Sequence, residues 1–325
     1  MELPFSSRLN NAVVSSAVYL EQLFWPSNLA VIYPYPTRLS PWKPLVAVVL
    51  IIGISLAAFV FRKKRPYLLT GWLWYLVMLA PVIGIFQVGA QARADRYTYL
   101  PLIGPCLLLT WLVADFLGRQ RAGRYAMGVL SLAAIAALIV CARVQTGYWQ
   151  NSESLWTHTL ICTSNNSTAE ENLGAVLLEK RYVDQAIEHF QKALAINPSY
   201  EIARASLGSA LYSKGDLDQA IVEFQKALEL NSQNPAFHNN LANALMRQGK
   251  LADAVAQYEA ATRIDPENFA AHNNLGIALL QQGNTNAAIP HYEKALELAQ
   301  ATGRWEVAQQ LTAALNSLRN QTSAP

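Results

Sequence analysis

Apolar and polar residues follow two different patterns along this chain, and the change falls near residue 150. The first part contains four long apolar runs without Asp, Glu, Lys or Arg, at residues 44–61, 66–92, 97–114 and 125–141. A helix of about 20 apolar residues spans the hydrocarbon core of a bilayer, and the shorter runs approach that length with their flanking residues. Tryptophan and tyrosine near the ends of these runs are typical of a membrane interface. The pattern predicts four transmembrane helices.

The segment ahead of the first run, residues 1–44, is rich in aromatic residues and is interrupted by Pro26, Pro34 and Pro36. It has no basic start, clean apolar core or small-residue cleavage site, so it does not match a signal peptide. It either lies along the membrane surface or packs between helices, and we favour the second arrangement.

The second part, from Ser167 to Thr302, repeats itself with a period of 34 residues. Leucine, small and aromatic residues recur in register in columns that begin at Leu173, Gly174, Leu177, Ala186, Phe190 and Ala193. Small residues let two antiparallel helices approach closely, while the leucine and aromatic columns fill the space between neighbouring pairs. The period predicts four helix-turn-helix units, at 167–200, 201–234, 235–268 and 269–302.

Local signals define the turns of these units. Gly215, Gly249 and Gly283 stand where the first helix of a unit ends, a position that suits a left-handed residue, and Arg181 takes that place in the first unit. Pro290 falls inside the second helix of the last unit, so we expect it to kink or shorten that helix.

Both ends of the array extend beyond the four units. Residues 150–164 resemble the second helix of an incomplete unit, because Trp156 lies one period before Phe190. A helix over 304–319 presents Val307, Leu311, Leu315 and Leu318 at helical spacing, which predicts a cap. The predicted organisation is an extracytoplasmic or interfacial segment, a membrane domain, a junction, the units, and a cap with a tail, at 1–44, 45–143, 144–166, 167–302 and 303–325.

Charge adds an orientation to this picture. Residues 1–166 carry 13 Lys and Arg against 5 Asp and Glu, or +8, which leaves 12 against 17, or −5, of the chain's 25 and 22. Basic residues cluster after the first run, at 62–65, and between the third and fourth runs, at 119–124. The positive-inside rule places these loops in the cytoplasm. The amino terminus and the array are therefore predicted on the non-cytoplasmic side, in a periplasm or an organelle lumen.

Several kinds of chemistry have no signal here. The array carries no basic cluster for nucleic acid, and the three cysteines form no disulfide framework. No zinc-ligand spacing, phosphate-binding glycine loop or nucleophile triad is present. His238 and His272 recur one period apart, and we interpret them as surface residues rather than metal ligands.

One candidate site lies in the stretch ADRYTYLP, residues 94–101, where the loop before the third run meets the membrane. Arg96 is suited to bind a lipid-linked phosphate and Asp95 a hydroxyl of a donor or acceptor, with Tyr97 and Tyr99 beside them. The alternative is an interfacial anchor, in which the tyrosines lie at headgroup level and the charged pair stabilises the helix start.

A second candidate site lies on the first helices of the repeats. One column reads Asn172, Ser206, Asn240 and Asn274, and the preceding column adds Asn239 and Asn273. An amide side chain donates and accepts at once, so a ladder of such residues can hold an extended peptide backbone independently of its sequence. The alternative is that these are solvated polar residues on an exposed face.

Three resemblances follow from these features. The repeat columns resemble the tetratricopeptide repeat, and the asparagine column resembles that in the repeat groove of the O-linked N-acetylglucosamine transferase family. The whole order, from RLNNAVVSSAVYL and FWPSNLAVIYPYP through ADRYTYLP to the repeats, resembles the carboxy-terminal portion of the transmembrane-and-tetratricopeptide-repeat O-mannosyltransferase family. This resemblance implies an all-α chain and a glycosyltransferase of the C type that uses a polyprenyl-phosphate sugar on the non-cytoplasmic side.

The resemblance is incomplete in one respect. In that family an acidic catalytic residue lies in the first large extracytoplasmic loop, ahead of the region that this chain matches. This chain has no such loop, so we assign no catalytic residue and expect either a piece of a longer transferase or a subunit without the catalytic half. A non-enzymatic scaffold for the assembly of envelope or luminal proteins is the alternative function.

Overall fold

The computed structural model describes residues 4–24, 26, 29–35, 40–83, 91–93, 98–118 and 120–322. Helices dominate the described residues, as the pattern predicts. The chain divides into two compact units, residues 1–169 and residues 170–325.

The first unit contains six helices and two short strands within its described residues. They are α1 (Phe5–Phe24), β1 (Tyr33–Pro34), α2 (Trp42–Val60), α3 (Pro66–Leu79), β2 (Gln91–Arg93), α4 (Ile103–Leu117), α5 (Arg121–Gly147) and α6 (Ser152–Cys162). The strands pair antiparallel, an element that the all-α prediction did not include.

Two of the four predicted spans, α2 and α5, are long and apolar enough to cross a membrane among the described residues. The other two, α3 and α4, have 14 and 15 residues. The run at 66–92 is not one helix, because α3 ends at Leu79, just ahead of Pro81. Proline has no backbone N–H, so Pro81 cannot donate the hydrogen bond that would extend the helix.

Helix α1 packs against the apolar helices of its own unit. Its buried Ala12 and Tyr19 join a cluster with Trp72, Tyr75 and other residues of α2 and α3. The Tyr75 hydroxyl donates a hydrogen bond of 2.6 Å to the Ser16 carbonyl. Helix α1 thus packs against α2 and α3.

The repeats form an antiparallel stack of helices. They are α7 (Ser167–Glu179), α8 (Val183–Ile196), α9 (Glu201–Lys214), α10 (Leu217–Leu230), α11 (Pro235–Arg247), α12 (Leu251–Ile264), α13 (Phe269–Gln281) and α14 (Thr285–Ala301). Each helix begins or ends at the residues that the 34-residue period indicates. The aromatic column is buried, with Phe190 and Tyr258 fully enclosed.

The small column exists because the aromatic ring of the second helix lies directly against the first helix. A Cβ atom at Gly208 would lie 2.8 Å from the ring of Phe224, and one at Gly174 would lie 2.7 Å from the ring of Phe190. Real Cβ contacts are not that short, so a larger residue would push the helices apart.

The turn inside every unit contains a left-handed residue. The φ angles are 94° at Gly215, 82° at Gly249 and 79° at Gly283, and Arg181 adopts 68° in the first unit. Arg181 therefore follows the same turn geometry without the conformational freedom of glycine.

The predicted effect of Pro290 on helix length is wrong. Helix α14 continues through it from Thr285 to Ala301. Pro290 is on an exposed face, where water can hydrogen-bond the carbonyl that loses its partner.

The array is flanked by further helices, as the pattern predicts. Helix α15 (Trp305–Thr322) buries Ala308, Leu311, Leu315 and Leu318 and exposes its other face, as a cap must. On the amino-terminal side, α5 ends at Gly147 and α6 starts afresh at Ser152. The Asn151 side chain caps α6 by accepting a 2.9 Å hydrogen bond from the Ser154 amide.

Candidate peptide-binding groove

The first helices of the four units share one polar face. In each unit the column that begins at Asn172 precedes the small column, which faces the second helix, by two residues. Two residues correspond to about 200° around an α-helix. The predicted asparagine ladder therefore lies on the side turned away from the second helices, along α7, α9, α11 and α13.

Hydrogen bonds connect neighbouring units along this face. The Ser206 hydroxyl donates to the Glu171 carboxylate over 2.9 Å. The Asn274 side-chain amide donates to the Asn239 side-chain oxygen, Oδ1, over 3.1 Å. Both bonds run from one unit to the unit before it. The corresponding bond from Asn240 is missing because Ala205 offers no side-chain acceptor.

Asn243 joins this face to the core of the third unit. Its side-chain oxygen accepts from the Asn274 amide over 3.4 Å and from the buried hydroxyl of Tyr258. Burial raises the pKa of Tyr258, so the hydroxyl keeps its proton and remains a donor. The sequence gives no clear signal for Asn243, because its column holds Ser209 and Ile277 in the adjoining units.

The six predicted residues differ in how many of their side-chain hydrogen-bonding groups already have a partner within the protein. Ser206, Asn239 and Asn274 use side-chain groups in bonds to neighbouring units, and Asn172 also has a partner. Asn240 and Asn273 are half-buried and make no side-chain hydrogen bond within the described residues. These two amides retain their full capacity to donate and accept.

A second set of polar pairs links the two helices within every unit, 19 residues apart in each case. The pairs are Glu170–His189 at 2.6 Å, Arg204–Glu223 at 3.2 Å, His238–Gln257 at 2.7 Å and His272–His291 at 3.1 Å. Sequence reasoning missed this set because the residue types change from unit to unit while the spacing stays constant.

His238 and His272 both contact neighbouring groups, and the prediction of a surface residue is wrong for His272, which is buried. The Nε2 atom of His238 lies 3.1 Å from the Ser232 carbonyl, and that of His272 lies 3.2 Å from the Pro266 carbonyl. Among the described residues no group of three or more His, Cys, Asp or Glu is placed to hold a metal ion.

Only the second half of the ADRYTYLP stretch, residues 98–101, lies within the described residues. Asp95, Arg96 and Tyr97 lie outside the described residues. Tyr99 is 78% exposed and makes no side-chain hydrogen bond within the described residues.

The first compact unit, residues 1–169, contains a large cavity of about 1280 Å³. Apolar and aromatic side chains of α1, α2 and α4 line most of it, and Glu21 and Lys43 are its charged residues. Ligand pockets for small molecules usually measure about 300–1,000 Å³, so this cavity is larger than that range.

Family models identify the repeats. A model described as a tetratricopeptide repeat matches residues 171–200, a second with that description matches 239–304, and one described as a TPR repeat matches 208–249. This region therefore contains tetratricopeptide repeats, as the 34-residue period predicts.

Two curated relatives show distant similarity. Protein O-mannosyl-transferase F38B6.6 of Caenorhabditis elegans is 27% identical over 157 residues, which are 48% of this chain and 21% of that protein. Protein O-mannosyl-transferase Tmtc3 of Drosophila melanogaster is 26% identical over 127 residues, 38% of this chain and 13% of that protein. The chain thus spans about a fifth or less of the length of these relatives.

Among solved structures, the crystal structure of MamA has 23% identity and a TM-score of 0.44, over 50% of this chain and 95% of that one. The crystal structure of YrrB, described as a TPR protein with an unusual peptide-binding site, has 25% identity and a TM-score of 0.39, over 45% of this chain and 75% of that one.

Proposed function

We propose that this tetratricopeptide-repeat chain is anchored in a membrane and binds an extended segment of another protein along the polar face of its first helices. The observation that carries this proposal is the pair of uncommitted, half-buried amides, Asn240 and Asn273, within a ladder of hydrogen-bonded side chains. A peptide backbone presents alternating donors and acceptors, and both amides can satisfy such groups.

The first unit supports the membrane anchor. Helix α5 buries none of its residues although it is strongly apolar, and α2 exposes most of its valines, leucines and isoleucines. Exposed apolar area of this size is costly in water and favourable in lipid. We propose that α3 and α4 complete a four-span domain with their flanking residues. The basic loop at 62–65 then lies in the cytoplasm and the array on the opposite side.

The similarity to protein O-mannosyl-transferases supports a role in sugar transfer. The array would bind the acceptor protein, and the catalytic residue would come from a part of the transferase that this chain does not contain. A polyprenyl-phosphate sugar would be the donor. The apolar cavity suits a lipid chain, Lys43 offers a cation to a phosphate, and the segment holding Asp95, Arg96, Tyr97 and Tyr99 is the proposed headgroup contact.

Binding of extended peptides by the full chain in lipid nanodiscs tests the proposal. Replacing both Asn240 and Asn273 by Ala removes two neutral hydrogen-bond partners, each contributing about 1 kcal/mol, so affinity should fall about 30-fold. The control is Gln225→Ala, which removes an exposed amide from a second helix and should leave affinity unchanged. Equal affinity of the double variant and the control would contradict peptide binding at this face.

The same variants separate the transferase role from the scaffold. If the chain presents acceptors for sugar transfer, cells that make the double variant should show less O-mannose on the peptides that the groove binds. Weaker binding with unchanged O-mannose would favour a scaffold without sugar chemistry.

A further inference from the structure

Glu171 differs in charge from the other residues of its column. The equivalent positions in the later units hold Ala205, Asn239 and Asn273, all of them uncharged. The Ser206 hydroxyl donates to Glu171 Oε1 across the unit boundary, as Asn274 donates to Asn239 between the third and fourth units. A carboxylate thus occupies a place in the ladder that an amide occupies elsewhere.

Within the described residues of the free protein, little offsets the cost of burying the Glu171 carboxylate. Glu171 is only 7% exposed, and within the described residues its one hydrogen bond comes from a neutral hydroxyl. The adjacent Glu170, by contrast, lies 2.6 Å from His189. Among the residues that the structure describes, no cation shifts the pKa of Glu171, and burial raises that pKa. Removing a carboxylate from water without an opposite charge is costly.

A bound cation would reduce this cost. A Lys or Arg side chain entering the groove would supply the missing opposite charge and would donate to the second carboxylate oxygen, which accepts no hydrogen bond within the described part of the chain. Amides such as Asn240 recognise backbone and carry no preference for a side chain, so the carboxylate adds the selectivity that the ladder lacks.

We propose that Glu171 makes the groove selective for segments that carry a basic side chain at the position facing the first repeat. This inference rests on the proposed peptide binding and specifies the class of segment. It also orients the ligand, because a segment with one basic residue then has a single preferred register along the four units.

Ten-residue peptides of Ser, Thr and Ala, each with one Lys at a different position, test the inference against matched peptides with uncharged norleucine. A partly buried charge pair strengthens binding at an interface, so we expect about tenfold tighter binding of the Lys peptide at one or two positions. Glu171→Gln keeps an acceptor for Ser206 and should remove the Lys preference while norleucine peptides bind as before.

Acidity provides an independent readout. Because burial raises the pKa of Glu171, its charge should be lost at a higher pH than for an exposed glutamate, and the Lys preference should weaken on acidification before exposed glutamates are protonated. Equal binding of Lys and norleucine peptides, or a preference that survives in Glu171→Gln, overturns the inference and leaves peptide binding intact. Absence of binding to every peptide overturns both proposals.

Discussion

At the residue scale, the turn of the first repeat keeps a left-handed backbone conformation although an arginine stands where the other three repeats have glycine. Arg181 adopts the left-handed conformation that glycine adopts in the other three turns. A non-glycine residue in that conformation costs roughly 1–2 kcal/mol. Arg181 is exposed, so burial of its side chain does not offset this cost.

Replacing Arg181 by Gly should therefore stabilise the first repeat. The gain in the folded state is partly offset by the greater flexibility of glycine in the unfolded chain, so we expect a net gain of about 1 kcal/mol or less. Hydrogen exchange of the α7 and α8 amides measures this local free energy of opening. The reverse change, Gly249→Arg, should destabilise the third repeat by a similar amount. Faster exchange in Arg181→Gly would show that the arginine side chain stabilises the turn.

The repeat period predicted the position of individual residues but not their hydrogen bonds. The columns predicted which residues share the polar face, including Asn240 and Asn274. They gave no information on which amides are already bonded, because that depends on the residue one unit away, as with Ser206 and Glu171. Such a bond joins unlike residues from two different columns, so the repetition within one column does not predict it.

At the element scale, each helix pair is joined by one polar contact whose chemistry differs between units. In the first repeat Glu170 faces the Nδ1 atom of His189 over 2.6 Å. In the last unit His272 faces His291 with their Nδ1 atoms 3.1 Å apart. The Nε2 of His272 donates to the Pro266 carbonyl, so its neutral ring presents an acceptor to the Nδ1–H of His291. Protonation of both rings would place two donors and two positive charges against each other.

The last repeat should therefore lose stability in mild acid. Burial lowers the pKa of His272, the hydrogen bond to the Pro266 carbonyl raises it in part, and the charge of Lys294 lowers it further against Glu267 and Asp265. Burial and the charge of His272 lower the pKa of His291, against a smaller opposite effect of Glu259. The unfolded state then binds more protons than the folded state, so stability falls as the pH drops below the ordinary histidine value of about 6.5.

Hydrogen exchange of α13 and α14 at about pH 7 and about pH 5.5 tests this expectation, because exchange corrected for its intrinsic pH dependence reports local stability. His291→Gln copies the His238–Gln257 pair of the third unit and should reduce the loss. His189→Gln is the control and should not affect the last repeat. Equal pH dependence in the native chain and His291→Gln would contradict this role.

Apolar runs predicted the elements of the first unit less completely than the period predicted the repeats. Composition identified α2 and α5, but it did not reveal that proline ends α3 at Leu79 or that β1 and β2 pair. Hydropathy records only how apolar a window is, whereas a helix end depends on single residues such as Pro81. The strand pairing joins segments far apart in sequence, which no local pattern encodes.

At the scale of the whole molecule, the two units differ in the solvent that suits them. The first unit exposes long apolar helices, and the second exposes a charged surface around a buried alanine, leucine and aromatic core. This contrast follows the change from a net charge of +8 to one of −5 that the sequence shows at residue 166.

The most direct test of this account is photo-crosslinking on sealed vesicles of known orientation, with an extended, membrane-impermeant peptide added outside. A photoreactive residue at Ser213, about two helical turns after Ser206, reports the polar face, and one at exposed Gln225 reports a second helix. We expect crosslinks from Ser213 alone, and only where the non-cytoplasmic side faces outward. Equal crosslinking from both positions, or crosslinks confined to vesicles with the cytoplasmic side outward, would contradict the account.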